Sequence, residues 1–172
     1  MIFLNGSYGV GKSSTLDHLG DLLAAAGRPF SLMDVDWFHR SWPPADPDNA
    51  QIEADNLAAV WKNYQSAGPR QLVICGVIST PAAKARYETA LGGPLRLVRL
   101  TAAPAKTERR LRGRYSASQS QALQWHLERY AELAARLAAA DLDELVIDTS
   151  RLRPHEVAER IGRHFGVAKD MT

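Results

Sequence analysis

The chain has 172 residues, 45% hydrophobic and 23% charged, with a formal net charge of +2. That is enough for one domain with its own core, and too little charge to point to nucleic acid or a membrane surface as a partner. A single cysteine, Cys75, excludes an intrachain disulfide and fits a reducing cytosol.

No run approaches the roughly 18 apolar residues of a membrane span. The first apolar run, Met1 to Leu4, ends at Asn5 with no basic region before it, so no signal peptide is expected. A cytoplasmic protein is the expectation, acting as a monomer or homodimer.

In chain order, Met1 to Asn5 reads as a short buried strand. Lys12 to Ala26 reads as a helix, with Leu16, Leu19, Leu22 and Leu23 on one side and Gly27 at its end. Phe30 to Met33 is a second strand, followed by the proline-rich loop "WPPADPD", Trp42 to Asp48. Gln51 to Ala67 is helical by composition and is stopped by Gly68 and Pro69. "QLVICGVI" is a continuous apolar run, as in a central strand. Pro81 to Leu91 is a helix and "LRLVRL" a fourth strand. Pro104 to Arg112 begins a further helix. Ser118 to Ala140 is long, alanine-rich and helical, its alanine face expected against the core. "ELVIDT" is the fifth strand, Pro154 to Phe165 the last helix, and the tail after Gly166 is expected to fray.

Strands alternating with helices predict a parallel sheet covered on both faces, in one domain spanning residues 1–172. Ligands of such sheets bind at the carboxyl ends of the strands. Gly6 to Ser13, Asp34 to Trp37, Cys75 to Thr80 and Thr101 to Pro104 all fall there.

"GSYGVGKS", Gly6 to Ser13, matches G-x-x-x-x-G-K-[ST], the P-loop, between an apolar strand and an amphipathic helix. Its glycines let successive N–H groups turn toward one anion, and the helix start adds its unpaired N–H groups. The stretch Gly6, Ser7, Tyr8, Gly9, Val10, Gly11, Lys12, Ser13 and Ser14 therefore reads as a nucleoside triphosphate cradle. Lys12 is expected on the β- and γ-phosphates, Ser13 on Mg²⁺. No N-K-x-D guanine-reading motif and no D-x-x-G switch follows, so ATP is the expected nucleotide.

"MDVDWFHR" places Asp34 and Asp36 at the end of the second strand. In an extended chain both carboxylates point to one side. Asp34 would hold Mg²⁺, and Asp36 would orient and deprotonate an acceptor hydroxyl. Asp36 as a simple cap of a turn is the alternative. Trp37, Phe38, His39 and Trp42 either form an aromatic acceptor pocket or cover the core edge.

"ERRLRGRYSAS" crowds Arg109, Arg110, Arg112 and Arg114 around Gly113. A lid over Arg109 to Ser120, hinged at Gly113, is expected from this density; a solvated helix face is the alternative. The five histidines show no metal-ligand spacing, and His126 and His164 read as ordinary helix residues. Cys75 reads as an inert core thiol.

These features together resemble the small P-loop kinases of the adenylate kinase and shikimate kinase group, including the gluconate kinases and the chloramphenicol phosphotransferases. The resemblance covers most of the chain as an order of elements, and the P-loop is its specific motif. It implies a P-loop NTPase three-layer sandwich with strand order 2-3-1-4-5. It also implies an ATP- and Mg²⁺-dependent kinase acting on a small-molecule hydroxyl. A nucleotide-binding regulator or plain ATPase is the competing class.

"MDVDW" resembles the Asp-x-Asp of shikimate kinases, and "VDWF" the phosphotransferase segment whose acceptor-activating aspartate stands at Asp36. "RLRGR" resembles the lid entrance of adenylate kinases, which implies Arg110 on adenine and Arg114 on phosphate. "LERYAEL" implies Arg129 facing substrate or phosphates. "IDTSRLRP", with Arg151, resembles the loop packed against adenine. The glycine triplet that binds shikimate is absent, with "CGVIST" near its place, and so is the D-G-x-P-R acceptor signature of adenylate kinases.

Overall fold

The computed structural model of the chain describes residues 1–167. The expected frayed tail falls, beyond Val167, outside them. Five strands form one sheet: β1 (Ile2–Gly6), β2 (Phe30–Asp34), β3 (Gln71–Cys75), β4 (Arg96–Thr101) and β5 (Leu145–Asp148). Their order is β2-β3-β1-β4-β5 and every pairing is parallel. Six α-helices accompany them: α1 (Lys12–Ala25), α2 (Ala50–Gln65), α3 (Pro81–Leu91), α4 (Pro104–Arg114), α5 (Ser120–Ala140) and α6 (Pro154–His164). The alternation of strand and helix thus produces the parallel sheet that it predicts.

Strand side chains alternate between two cores. Ile2, Leu4, Val73, Val98 and Leu100 meet Leu16, Leu19 and Leu23 of α1 and Val157 and Ile161 of α6. Phe3, Met33, Leu72, Ile74 and Leu97 meet Leu57 and Trp61 of α2 and Tyr87 and Leu91 of α3. Every residue of β1 is buried, as a central parallel strand requires. The helices start where local chemistry starts them. Thr80 accepts from the Ala83 N–H at 3.1 Å ahead of α3. Pro154 opens α6 while Glu156 accepts from the Arg153 N–H at 2.6 Å.

The expected third strand ends early, at Cys75. The side chain of Asn5 replaces the ladder beyond it, donating to the Ile78 carbonyl at 2.9 Å and accepting from the Ile78 N–H at 3.1 Å. The same amide donates to Asp143 at 3.1 Å. Asp143 lies 3.2 Å from Nε of Arg99, with side chains only 2% and 13% exposed. Neither atom of that contact makes a hydrogen bond, so charge pairing alone holds it. Burial raises the Asp143 pKa, against the Asn5 hydrogen bond and the Arg99 charge. Replacing Asp143 by Ala strands the Arg99 guanidinium in the interior. Urea unfolding of Asp143→Ala is expected to show a loss of about 3–5 kcal/mol, the usual result of removing one partner of a buried pair.

Two expectations are corrected. Gly113 does not separate two helical segments: α4 runs through it to Arg114. Its neighbours are good helix formers and Leu111 anchors the turn in the core, which outweighs one glycine. The alanine face of α5 is not core either. Leu133 and Leu137 are the buried residues of α5, and Ala131, Ala134, Ala135, Ala138 and Ala139 are exposed. α5 packs beside α4, and Tyr130 adds polar ties, its carbonyl accepting from the Ser7 hydroxyl at 2.6 Å and its phenol donating to Glu108 at 2.9 Å. Among the described residues no helix is long and apolar enough to cross a membrane.

Candidate active site

Ser7 to Gly11 curl between β1 and α1. Gly6 has φ +149°, and a Cβ there would stand 2.6 Å from the Leu100 carbonyl oxygen. Gly9 has φ +72°, and its Cβ would crowd Leu111 and Thr107 of α4 at 3.1 and 3.2 Å. Both positions therefore demand glycine. α1 begins at Lys12 after Gly11, with no side chain capping it, so its first N–H groups are left for an anion.

The Lys12 ammonium donates to the carbonyls of Gly6 at 2.8 Å and Ser7 at 3.1 Å. An ammonium has three donors, so one remains. Burial lowers the Lys12 pKa, and Asp36, Cys75 and Asp34 oppose that shift. The Ser13 hydroxyl donates to Oδ2 of Asp34 at 2.8 Å. These residues fit a nucleoside triphosphate with Mg²⁺: a free donor on Lys12, an uncapped helix start, and a hydroxyl beside a carboxylate. Cys75 is buried next to them, and burial followed by Asp34 pushes its thiol pKa up, as an inert thiol requires.

The chain does not stay extended after β2. Val35–Trp37 forms a 3₁₀ turn, and Oδ1 of Asp34 caps it by accepting from the Asp36 N–H at 3.2 Å. The capping role falls to Asp34 rather than Asp36. Both Asp34 oxygens are thereby engaged, whereas the Asp36 side chain accepts no hydrogen bond from any described residue.

A cleft of about 830 Å³ opens above the strand ends. Ser7 to Ser14, Asp36, Arg110 and Arg114 line it. The guanidinium of Arg110 donates to the carbonyls of Gly9 and Val10 at 3.3 and 3.2 Å, and to the Thr149 hydroxyl and carbonyl at 2.9 and 3.1 Å. It therefore ties α4 to the P-loop, and burial, then Arg109, lowers its pKa. Arg129 and Arg151 do not line the cleft. The Arg129 guanidinium lies 4.7 Å over the Trp125 ring and bonds Glu128. Two helical turns further along α5, Arg136 lines the cleft instead. Past Arg151, Pro154 lines it.

The half of the cleft beyond Asp36 contains residues that sequence reasoning missed. Glu53 of α2 accepts from the Tyr87 hydroxyl of α3 and, at 2.8 Å, from Nδ1 of His39. Burial first, then Glu53, raises the Tyr87 pKa, so the phenol stays a donor. Tyr8 meets Trp125 and His126 edge-on at 5.5 and 4.7 Å between ring centres. His126 is thus a cleft residue, within 3.0 Å of the Tyr115 hydroxyl, rather than an ordinary helix position. Trp37 and Trp42 are 69% and 90% exposed, so they neither wall the cleft nor cover the core. Glu53 and Tyr87 lie far apart in sequence and belong to no motif; only the convergence of α2 and α3 brings them together.

The fold has many solved counterparts. The tunicamycin resistance protein of Deinococcus radiodurans is 21% identical, with a TM-score of 0.65 over 96% of this chain and 94% of that one. A gluconokinase from Sinorhizobium meliloti is 19% identical, with a TM-score of 0.56 over 96% and 94%. The shikimate kinase of Acinetobacter baumannii, in complex with shikimate, is 18% identical, with a TM-score of 0.53 over 95% and 91%. No protein-family model matches the chain, and no curated protein sequence does. The sheet order, the parallel pairing and these neighbours define the fold as that of the small P-loop kinases.

Proposed function

We propose that the protein is an ATP-dependent phosphotransferase that moves the γ-phosphoryl group to a hydroxyl of a small-molecule acceptor. The observation that carries this reading is Asp36. Its unengaged carboxylate lines the same cleft as Lys12 and Ser13, facing space large enough for a second substrate.

Lys12 and the N–H groups at the start of α1 hold the phosphates. Ser13 and Asp34 hold Mg²⁺, which when bound neutralises phosphate charge. Asp36 takes the proton of the acceptor hydroxyl as its oxygen bonds the γ-phosphorus and the bond to the β-phosphate oxygen breaks. Arg114 offsets charge on the transferring group, and Arg136 takes the part expected of Arg129. Arg110 and Pro154 flank the place for the base. The fold neighbours named as kinases of shikimate and gluconate support the reaction class.

The test is ADP formation measured against a panel of hydroxyl compounds, with Mg²⁺. At least one acceptor is expected to raise the rate about 10²-fold or more over water. ATP hydrolysis that every candidate leaves unchanged would mark a plain ATPase and overturn the proposal.

A further inference from the structure

Glu53 is a carboxylate at the edge of the core, its side chain 17% exposed, and it opens on the cleft next to Asp36. A carboxylate offers about four lone-pair sites. Two are filled, by Tyr87 and His39. No Lys or Arg among the described residues makes an ion pair with it. Of the cleft cations, Arg40 lies 4.4 Å over Trp37, Arg110 is bound to the P-loop and Thr149, Lys12 is held by Gly6 and Ser7, Arg114 lies 5.8 Å over Tyr115, and Arg136 stands on α5. Leaving acceptor capacity unfilled in a half-enclosed site costs free energy whenever a substrate displaces water from it. The group that fills it must be a donor.

We infer that Glu53 is a specificity determinant that reads a second hydrogen-bond donor on the acceptor, beside the hydroxyl that meets Asp36. The acceptor class is therefore an alcohol with a neighbouring hydroxyl or amino group. Its ring or carbon frame lies toward the aromatic edge formed by Tyr8, Trp125 and His126. The inference rests on the phosphotransfer reading of the cleft and sharpens it. Tyr87 and His39 are the positioning residues: they fix the carboxylate from two sides, so that its remaining lone pairs are the ones the substrate meets.

Matched acceptors test it: trans-1,2-cyclohexanediol and trans-2-aminocyclohexanol against cyclohexanol, and 2-amino-2-phenylethanol against 2-phenylethanol. The wild type is expected to favour the donor-bearing member of the active pair by at least about tenfold in kcat/KM, as a hydrogen bond to a charged group allows. Glu53→Gln is expected to raise that acceptor's KM about tenfold to a hundredfold. Its kcat is expected within about threefold and the KM for ATP unchanged, and the preference within the pair collapses. Glu53→Asp, which keeps the charge, restores part of the preference and covers a failure of Glu53→Gln to fold. Equal loss for both members, or a fall in kcat alone, makes Glu53 a structural clamp and overturns the inference while phosphotransfer stands. A wild type that does not discriminate within the pair overturns it too. A panel that never raises ADP formation overturns phosphotransfer itself, and the inference with it.

Discussion

Lys12→Ala is expected to lower kcat/KM for ATP by about 10³-fold or more. A single preorganised donor aimed at developing charge contributes about 10²–10³-fold, and an ammonium adds attraction to a polyanion in the ground state. Lys12 has no carboxylate in ion-pair contact among the described residues. Its charge is balanced only by two carbonyl contacts, to Gly6 and Ser7, and by the more distant Asp36 and Asp34. A bound phosphate therefore meets a cation that no acid has neutralised. The fold should survive the change, because Lys12 lines the cleft and water can take the place of its ammonium at the Gly6 and Ser7 carbonyls. Lys12→Arg should not rescue: the planar fork cannot occupy the curl that the compact ammonium fills. Calorimetry with a nonhydrolysable ATP analogue checks the binding part, and steady-state ADP formation the rate. A variant that binds the analogue as the wild type does and turns over normally would remove Lys12 from the site.

Asp36→Asn is expected to lower kcat by about 10²–10⁴-fold, the range for loss of a general base, with the dissociation constant for ATP within about threefold. The two aspartates are distinguished by what they already hold. Asp34 is committed on both oxygens, to the Ser13 hydroxyl and to the Asp36 N–H. Asn at position 36 keeps the backbone N–H that Asp34 caps, so the turn Val35–Trp37 persists. Only the basicity of the side chain is lost. Parallel measurements of kcat and analogue binding decide the matter. Losses of equal size in both would assign Asp36 a structural place instead.

The P-loop half of the cleft was legible in sequence because its chemistry is local. Glycine spacing, a lysine and a serine within eight residues report directly on backbone curl and charge. The parallel sheet was legible for a similar reason, since strand and helix periods alternate along the chain. What was not legible depends on how helices rotate against one another. The choice between Arg129 and Arg136 turns on the face that α5 presents, and the alanine-rich pattern of that helix marks no face clearly. Glu53, His39 and Tyr87 stand on three different segments and make one cluster only after folding. The 3₁₀ turn at Val35 was missed because a strand end followed by Asp-x-Asp fits an extended chain equally well, until the Asp34 carboxylate closes on the N–H two residues ahead.

The sparse burial of α5 has a mechanical consequence. A helix of 21 residues whose buried side chains are Leu133 and Leu137 is a lever with its fulcrum in its second half, its first half tied down by Tyr130 to Ser7 and Glu108 and by Trp125 and His126 against Tyr8. Trp125 stands eight residues from Leu133, about 12 Å along the axis at 1.5 Å per residue. A tilt of about 10° about that fulcrum therefore sweeps Trp125 through about 2 Å, while Arg136, next to the fulcrum, stays almost in place. Such a rotation would have to release the Tyr8 contacts of Trp125 and His126, and it would then widen the aromatic mouth of the cleft while leaving the cation at its base in place.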